Sequence, residues 1–301
     1  MKETMKDIIL NASADMTESC HKTDFIVSRG ERCLPDRSCI IRILKDLKRV
    51  MFPGYFGEEN IALISPQYFI GDRLTDIYGK LKPQIEISLY YRDYEKYTEE
   101  EHYELLRYID HRANTSGNIN IKVYGQENIP DDNGFMFYPN HQGLYDVLAI
   151  MEACPRPFSV VAKKEVANVP FLKQVFACMK AYMIDREDVR QSLQVIINVS
   201  NDVKAGKNFL IFPEGTRSKK GNQVQEFKGG SFKAATRAKC PIVPVALVNC
   251  FVPFDSKTTE QVDVQVHFLK PLLYDEYKDM KTTEIAAIVK ERIQCTINSS
   301  L

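Results

Sequence analysis

From residue 118 onward the chain breaks into short apolar runs: "GFMFYP", "FSVVA", "AYMID", "NFLIFP" and "IVPVALV". Each is bounded by proline, glycine or charge. This punctuation restricts the fold more than any other feature. Runs of strand length that are apolar throughout suit strands buried on both faces of a mostly parallel sheet. Ile119, Ile121 and Val123 alternate with polar neighbours, as a half-buried edge strand should, and "VDVQVHFL" reads as a late strand. Helical segments separate the runs. The clearest is "DVRQSLQVIINVSNDVKAG", with Val189, Leu193, Ile196 and Ile197 read as its inward stripe and Gly206 as its stop. "TTEIAAIVKERIQCTI" reads as a terminal amphipathic helix. The alternation predicts an α/β domain over residues 118–301, a mixed, mostly parallel sheet of six or seven strands flanked by helices.

Ahead of residue 117 the period is helical. "SCIIRILKDLKRVMF" spaces Ile40, Ile43, Leu44, Leu47, Val50 and Met51 by three and four. Ser38 is positioned as its N-cap and Pro53-Gly54 as its stop. "YFIGDRLTDIYGKL" and "EEEHYELLRYI" read as two further helices, residues 15–37 have no clear period, and "NTSGN" (114–118) reads as a linker. An all-α N-terminal domain over residues 1–115 is therefore expected to precede the sheet.

The 301 residues suffice for two domains, and a formal net charge of zero removes a global argument for nucleic acid. Attraction to phosphate must be local. The eight cysteines form no CxxC pair and no zinc-like spacing, which points to reduced thiols in a cytoplasmic protein. "MKETMKDIILNASADM" is broken by polar residues before a leader-like core forms. No apolar run approaches the ~18–20 residues that span a bilayer, so contact with a membrane is expected to be peripheral.

Ligands of α/β sheets gather where strands end, and three such ends carry suggestive residues. In "PNHQGLYD", five residues along a helix turn by about 140°, so His141 must sit in the turn while Asp146, in the first helical turn, reaches back to it. Asp146 can then fix the tautomer of His141 and leave its other nitrogen as a base. The plain alternative is a capping aspartate beside a hydrogen-bonded histidine. "AYMIDRED" releases Arg186, a planar fork suited to phosphate, or simply one member of a surface ion pair. "NFLIFPEGTRS" offers Gly215, Thr216, Arg217 and exposed backbone N–H groups to an anion, or forms an ordinary turn. The GxxxxGK spacing of a P-loop is absent.

Together these stretches resemble the glycerolipid acyltransferases typified by 1-acylglycerol-3-phosphate acyltransferase. The hallmark N-H-x4-D is Asn140, His141 and Asp146. A second block is similar to "VVAKKEVANVPFLKQVFACMKAYMIDR", which holds Lys163 and ends in Arg186. The third, F-P-E-G-T-R-S, runs from Phe212 to Ser218, and the fourth is similar to "CPIVPVAL" with Pro244. The blocks follow in order across residues 118–270. The resemblance implies acyl transfer from an acyl thioester, on acyl carrier protein or coenzyme A, to a lysolipid hydroxyl, with no metal or other cofactor. It assigns His141 as base and Asp146 as its partner, and gives Arg186, Gly215, Thr216 and Arg217 to the acceptor's phosphate. Asn140, Lys163, Glu214 and Pro244 have supporting places.

Residues 40–87 resemble instead the helical part of bacterial serine acetyltransferases, without the β-helix that carries their chemistry. That resemblance implies self-association or docking, and so a homo-oligomer. "VPFLKQVFACMKAYM" sets Phe171, Leu172, Val175, Phe176 and Met179 on one stripe with Lys173 and Lys180 beside it. This stripe lies either in the lipid interface of the inner membrane face or against the sheet. Two other readings compete: an acyltransferase acting on a lyso-aminolipid, and a non-catalytic lipid-binding scaffold.

Overall fold

The computed structural model describes residues 94–301 except 169–171, 186 and 256–259. The N-terminal helices, the serine acetyltransferase-like stretch, Phe171 and Arg186 lie outside the described residues.

Helix α1 (Glu99–Ser116) opens this part of the chain. Thr98 and Glu101 form a reciprocal capping box: the Glu101 N–H donates to Thr98 Oγ1 at 3.2 Å, and the Thr98 N–H to Glu101 Oε2 at 2.8 Å. The order then runs β1 (Ile119–Tyr124), β2 (Met136–Pro139), α2 (Asp146–Ala153), β3 (Ser159–Lys163), α3 (Leu172–Cys178), β4 (Tyr182–Ile184), α4 (Val189–Lys204) and β5 (Phe209–Leu210). It continues with α5 (Lys233–Ala238), β6 (Ile242–Val248), α6 (Val252–Asp255), β7 (Val262–Phe268), α7 (Tyr274–Tyr277) and α8 (Thr282–Ser300).

The strands form one seven-stranded sheet ordered β1-β7-β6-β2-β5-β3-β4. All neighbours run parallel except β6 and β7. The sheet is thus mixed and mostly parallel, and its central strands are apolar on both faces because helices cover both. Met136 and Tyr138 of β2 join Phe209, Ile242 and Ala246 in a core shared with α4, α5 and α8. On the other face, Phe137 meets the rings of Phe158 and Phe268 beneath α1 and α2.

Two sequence readings change. The helix that sequence grouping placed with the N-terminal segment, α1, packs on α2, α3 and β1, and the unit it belongs to begins at Asp93. Its Tyr103, Leu105 and Leu106 are buried there. The inward stripe of α4 is Val195, Val199 and Val203, not one led by Val189 and Leu193, which are 78% and 52% exposed. Asp188 caps that helix, accepting from the N–H groups of Arg190 and Gln191 at 2.9 and 3.0 Å. Its first turn is tied to the end of β4 through Gln191, which donates to the Met183 carbonyl at 2.7 Å and accepts the Asp185 N–H at 2.9 Å. Ile196 and Ile197, read as inward, are half-buried, Ile196 against the core.

Candidate active site

β2 and β5 are parallel neighbours, so the turns that follow them leave the sheet at the same end. The first turn carries Asn140 and His141, and the second carries Glu214 to Ser218. Asn140 is buried and bonded at both ends to one residue of β6. Its Nδ2 donates to the Leu247 carbonyl at 3.1 Å, and its Oδ1 accepts the Leu247 N–H at 2.8 Å. An asparagine amide is the side chain that supplies donor and acceptor together. It extends the sheet's pairing one step past Pro139 and fixes where His141 begins.

His141 is then held on every side. Its backbone N–H donates to Glu214 Oε1 at 2.9 Å, and its carbonyl accepts the Ser218 N–H at 2.7 Å. Its ring stacks on Phe212 with centroids 3.9 Å apart. Nδ1 lies 2.7 Å from Asp146 Oδ2. Asp146 is the first residue of α2 and fully buried. It also accepts from the N–H groups of Gln142 at 2.7 Å and Gly143 at 2.9 Å. Burial pushes this carboxyl up from its ordinary value, while His141 and the two N–H groups pull the other way by holding the carboxylate. A carboxylate accepts only, so His141 Nδ1 carries the proton and Nε2 keeps its lone pair. The His141 side chain is 19% exposed, whereas Asp146 is closed off.

The backbone of this turn has no slack. A Cβ on Gly143 would stand 3.0 Å from both the Cys250 carbonyl oxygen and Phe251 Cα. Gln142, also buried, accepts the Cys250 N–H at 2.8 Å and donates to Asn222 Oδ1 at 2.7 Å. Asn222 in turn bonds the side chain and N–H of Asn249, both at 2.9 Å.

The second turn is built around its own carboxylate. Glu214 is 3% exposed and also accepts from Gln225 Nε2 at 2.8 Å, and that amide reaches the Thr216 carbonyl at 3.0 Å. Burial raises the Glu214 carboxyl, with His141 and Gln225 opposing. Gly215 takes the left-handed conformation, φ +75°, open to glycine at little cost. Thr216 and Arg217 are exposed on the outer side of the turn.

Other sequence candidates stand further off. Lys163 ends β3, exposed and paired with Glu165 at 3.0 Å. Pro244 is buried in β6 opposite Tyr138, and its carbonyl accepts the Leu269 N–H at 3.0 Å, so its part is in the sheet. Val175 and Phe176 of α3 are half-buried and Met179 is 5% exposed, so that end of the stripe faces protein. Gln142, Ser218, Asn222 and Gln225 were not found by sequence reasoning. Ser218 ends a motif and Gln142 falls in the unspecified span of N-H-x4-D, while the three amides act through contacts with residues outside their own turns.

Residues 120–248 match the family model described as Acyltransferase. A 1-acyl-sn-glycerol-3-phosphate acyltransferase of Saccharomyces cerevisiae is 30% identical over 60% of this chain and 60% of its own length. One of Borreliella burgdorferi is 32% identical over 44% of this chain and 52% of its own. The chain thus spans a little over half the length of these curated relatives. The crystal structure of the 1-acyl-sn-glycerophosphate acyltransferase PlsC from Thermotoga maritima shares the fold, with a TM-score of 0.57 at 20% identity, covering 74% of this chain and 91% of that one. No helix among the described residues is long and apolar enough to cross a membrane. Motifs, fold and relatives agree, and the α/β unit of the chain is similar to the PlsC-like glycerolipid acyltransferases.

Proposed function

We propose that the chain transfers a fatty acyl group from an acyl thioester to the free hydroxyl of a lysophospholipid, with 1-acylglycerol-3-phosphate as acceptor and phosphatidate as product. The observation that carries this reading is the His141–Asp146 pair, 2.7 Å apart at the end of β2, with the imidazole reachable and the carboxylate buried. Nε2 takes the proton of the acceptor hydroxyl as its oxygen attacks the thioester carbonyl. The tetrahedral adduct expels the thiolate, which takes the proton back from the imidazolium and leaves as thiol. Asp146 balances the imidazolium while the adduct exists. A positioned general base of this kind contributes about 10²–10⁴-fold.

Arg217 and the Gly215–Thr216 backbone, with Arg186, receive the acceptor's phosphate in this reading. Acyl carrier protein or coenzyme A delivers the thioester. Residues 1–92 serve docking or self-association, and the site works at the inner face of a membrane. The support is that each assigned group apart from Arg186 sits at the carboxyl ends of adjoining strands.

The test incubates the purified full chain with acyl-carrier-protein and coenzyme A thioesters against a panel of lysolipids, reading products by mass spectrometry. Phosphatidate formed from lysophosphatidate, and lost in His141→Ala, is the expected result. Acylation of a lyso-aminolipid alone would overturn the acceptor assignment, and no transfer to any acceptor would overturn the enzymatic reading.

A further inference from the structure

Lys228 lies outside every motif block singled out above, yet its side chain runs across the Glu214–Arg217 turn. A Cβ on Gly215 would stand 3.1 Å from Lys228 Nζ and 3.6 Å from its Cε. The lysine therefore occupies the space that the missing side chain of Gly215 leaves open. Its backbone is tied to the same turn, since its N–H donates to the Pro213 carbonyl at 2.9 Å and its own carbonyl accepts the Ser231 N–H at 3.0 Å. The main chain thus fixes the root of the side chain beside the turn, from which the ammonium reaches over Gly215.

Lys228 is exposed and, like several other surface lysines, pairs with no carboxylate among the described residues. The one carboxylate of the turn, Glu214, is turned inward and committed to His141 and Gln225. The exposed side of the turn presents Arg217 with Lys228 over Gly215, neither in an ion pair among the described residues, next to the group that holds His141.

We propose that Lys228 is a direct ligand of a substrate phosphate, completing with Arg217 a two-cation site over Gly215. This deepens the acyl-transfer reading and rests on it. The phosphate belongs either to the lysolipid acceptor or to the thioester's carrier, and initial-rate kinetics separate the two. Lysophosphatidate is varied at saturating acyl thioester, and then the reverse, for the full chain and its Lys228→Ala and Lys228→Arg variants. Loss of a charge-assisted contact raises one KM by about tenfold or more, and arginine restores most of it. A rise confined to lysophosphatidate assigns the acceptor, and a rise confined to the thioester assigns the carrier. Both KM values within twofold of wild type overturn the proposal.

A catalysis-independent arm keeps this apart from failure of the acyl-transfer reading. Glycerol 3-phosphate, at ionic strength matched with chloride, should raise the thermal midpoint of wild type and Lys228→Arg but not of Lys228→Ala. Equal shifts in all three would remove Lys228 from phosphate binding whatever the enzyme does.

Discussion

Glu214 accepts the backbone N–H of His141 at 2.9 Å, so a residue of one motif fixes the main chain of another 73 positions away. Removing the acceptor leaves a partly buried N–H without a partner, a cost of about 1–3 kcal/mol. It also frees the histidine to swing away from Asp146. Glu214→Ala should lower kcat by ten- to a hundredfold (about 1.4–2.7 kcal/mol) and reduce the thermal midpoint. Glu214→Gln keeps an acceptor and should retain most activity. Equal losses in the two variants would show that charge, rather than the hydrogen bond to His141, is what matters.

His141→Ala should abolish transfer, by about 10²–10⁴-fold, with the smaller loss of stability because the Gln142 and Gly143 N–H groups still hold Asp146. Asp146→Asn should be less damaging to rate but more damaging to stability, since the buried carboxylate serves three donors. Rates from single turnovers and calorimetric midpoints on the same samples check both halves. A rate for His141→Ala within tenfold of wild type would remove it from the mechanism.

Gly143→Ala tests how tightly the catalytic turn is seated. With backbone atoms 3.0 Å from the new methyl group, neither side can yield cheaply. Overpacking of this sort costs about 1–3 kcal/mol. The displaced Gly143 N–H would also leave Asp146, so kcat should fall together with the midpoint. Wild-type values for both would mean the turn moves freely.

Asp110 gives the fold a pH dependence unconnected with catalysis. It is 3% exposed on α1, its oxygens make no hydrogen bond, and burial beside the Glu152 carboxylate raises it to about 8. Held protonated in the folded state and ionised in the unfolded one, it should make stability decline as pH rises from about 4 to about 8, with the loss complete above that. Asp110→Asn should therefore stabilise the protein more at pH 8 than at pH 5. Denaturant midpoints at the two values decide this, and an equal effect at both would rule it out.

Much of the fold was legible because the signals were local. Buried strands announced themselves as apolar runs, and the spacing of His141 and Asp146 already required a turn followed by a helix start. What was not legible depended on neighbours. Val189 and Leu193 keep the right helical period, yet which stripe is buried depends on how the helix is turned against its neighbours, and Val195, Val199 and Val203 face the core. Glu214 stood in a motif without a role because its partner is a main-chain N–H, which no side-chain pattern records. Gln142, Asn222 and Gln225 are amides whose value lies wholly in contacts across the chain. The placement of α1 was missed because its composition matches the segments before it, while the residues that decide its allegiance lie on α2.

Those residues bear on where the gene can be cut. Arg107 donates to the carbonyls of Met151 and Glu152, both at 3.2 Å, and Tyr103 to that of Cys154 at 3.0 Å, which satisfies the last turn of α2. At the other end of the same helix, Tyr145 donates to Asn114 at 2.5 Å. A fragment trimmed to the matched segment, 120–248, would strip these partners from the helix that carries Asp146, and would also discard β7 and α8. The shortest piece worth expressing begins ahead of Thr98 and runs to the end of α8. Libraries built on the family boundary would return unfolded protein and be misread as evidence against the site.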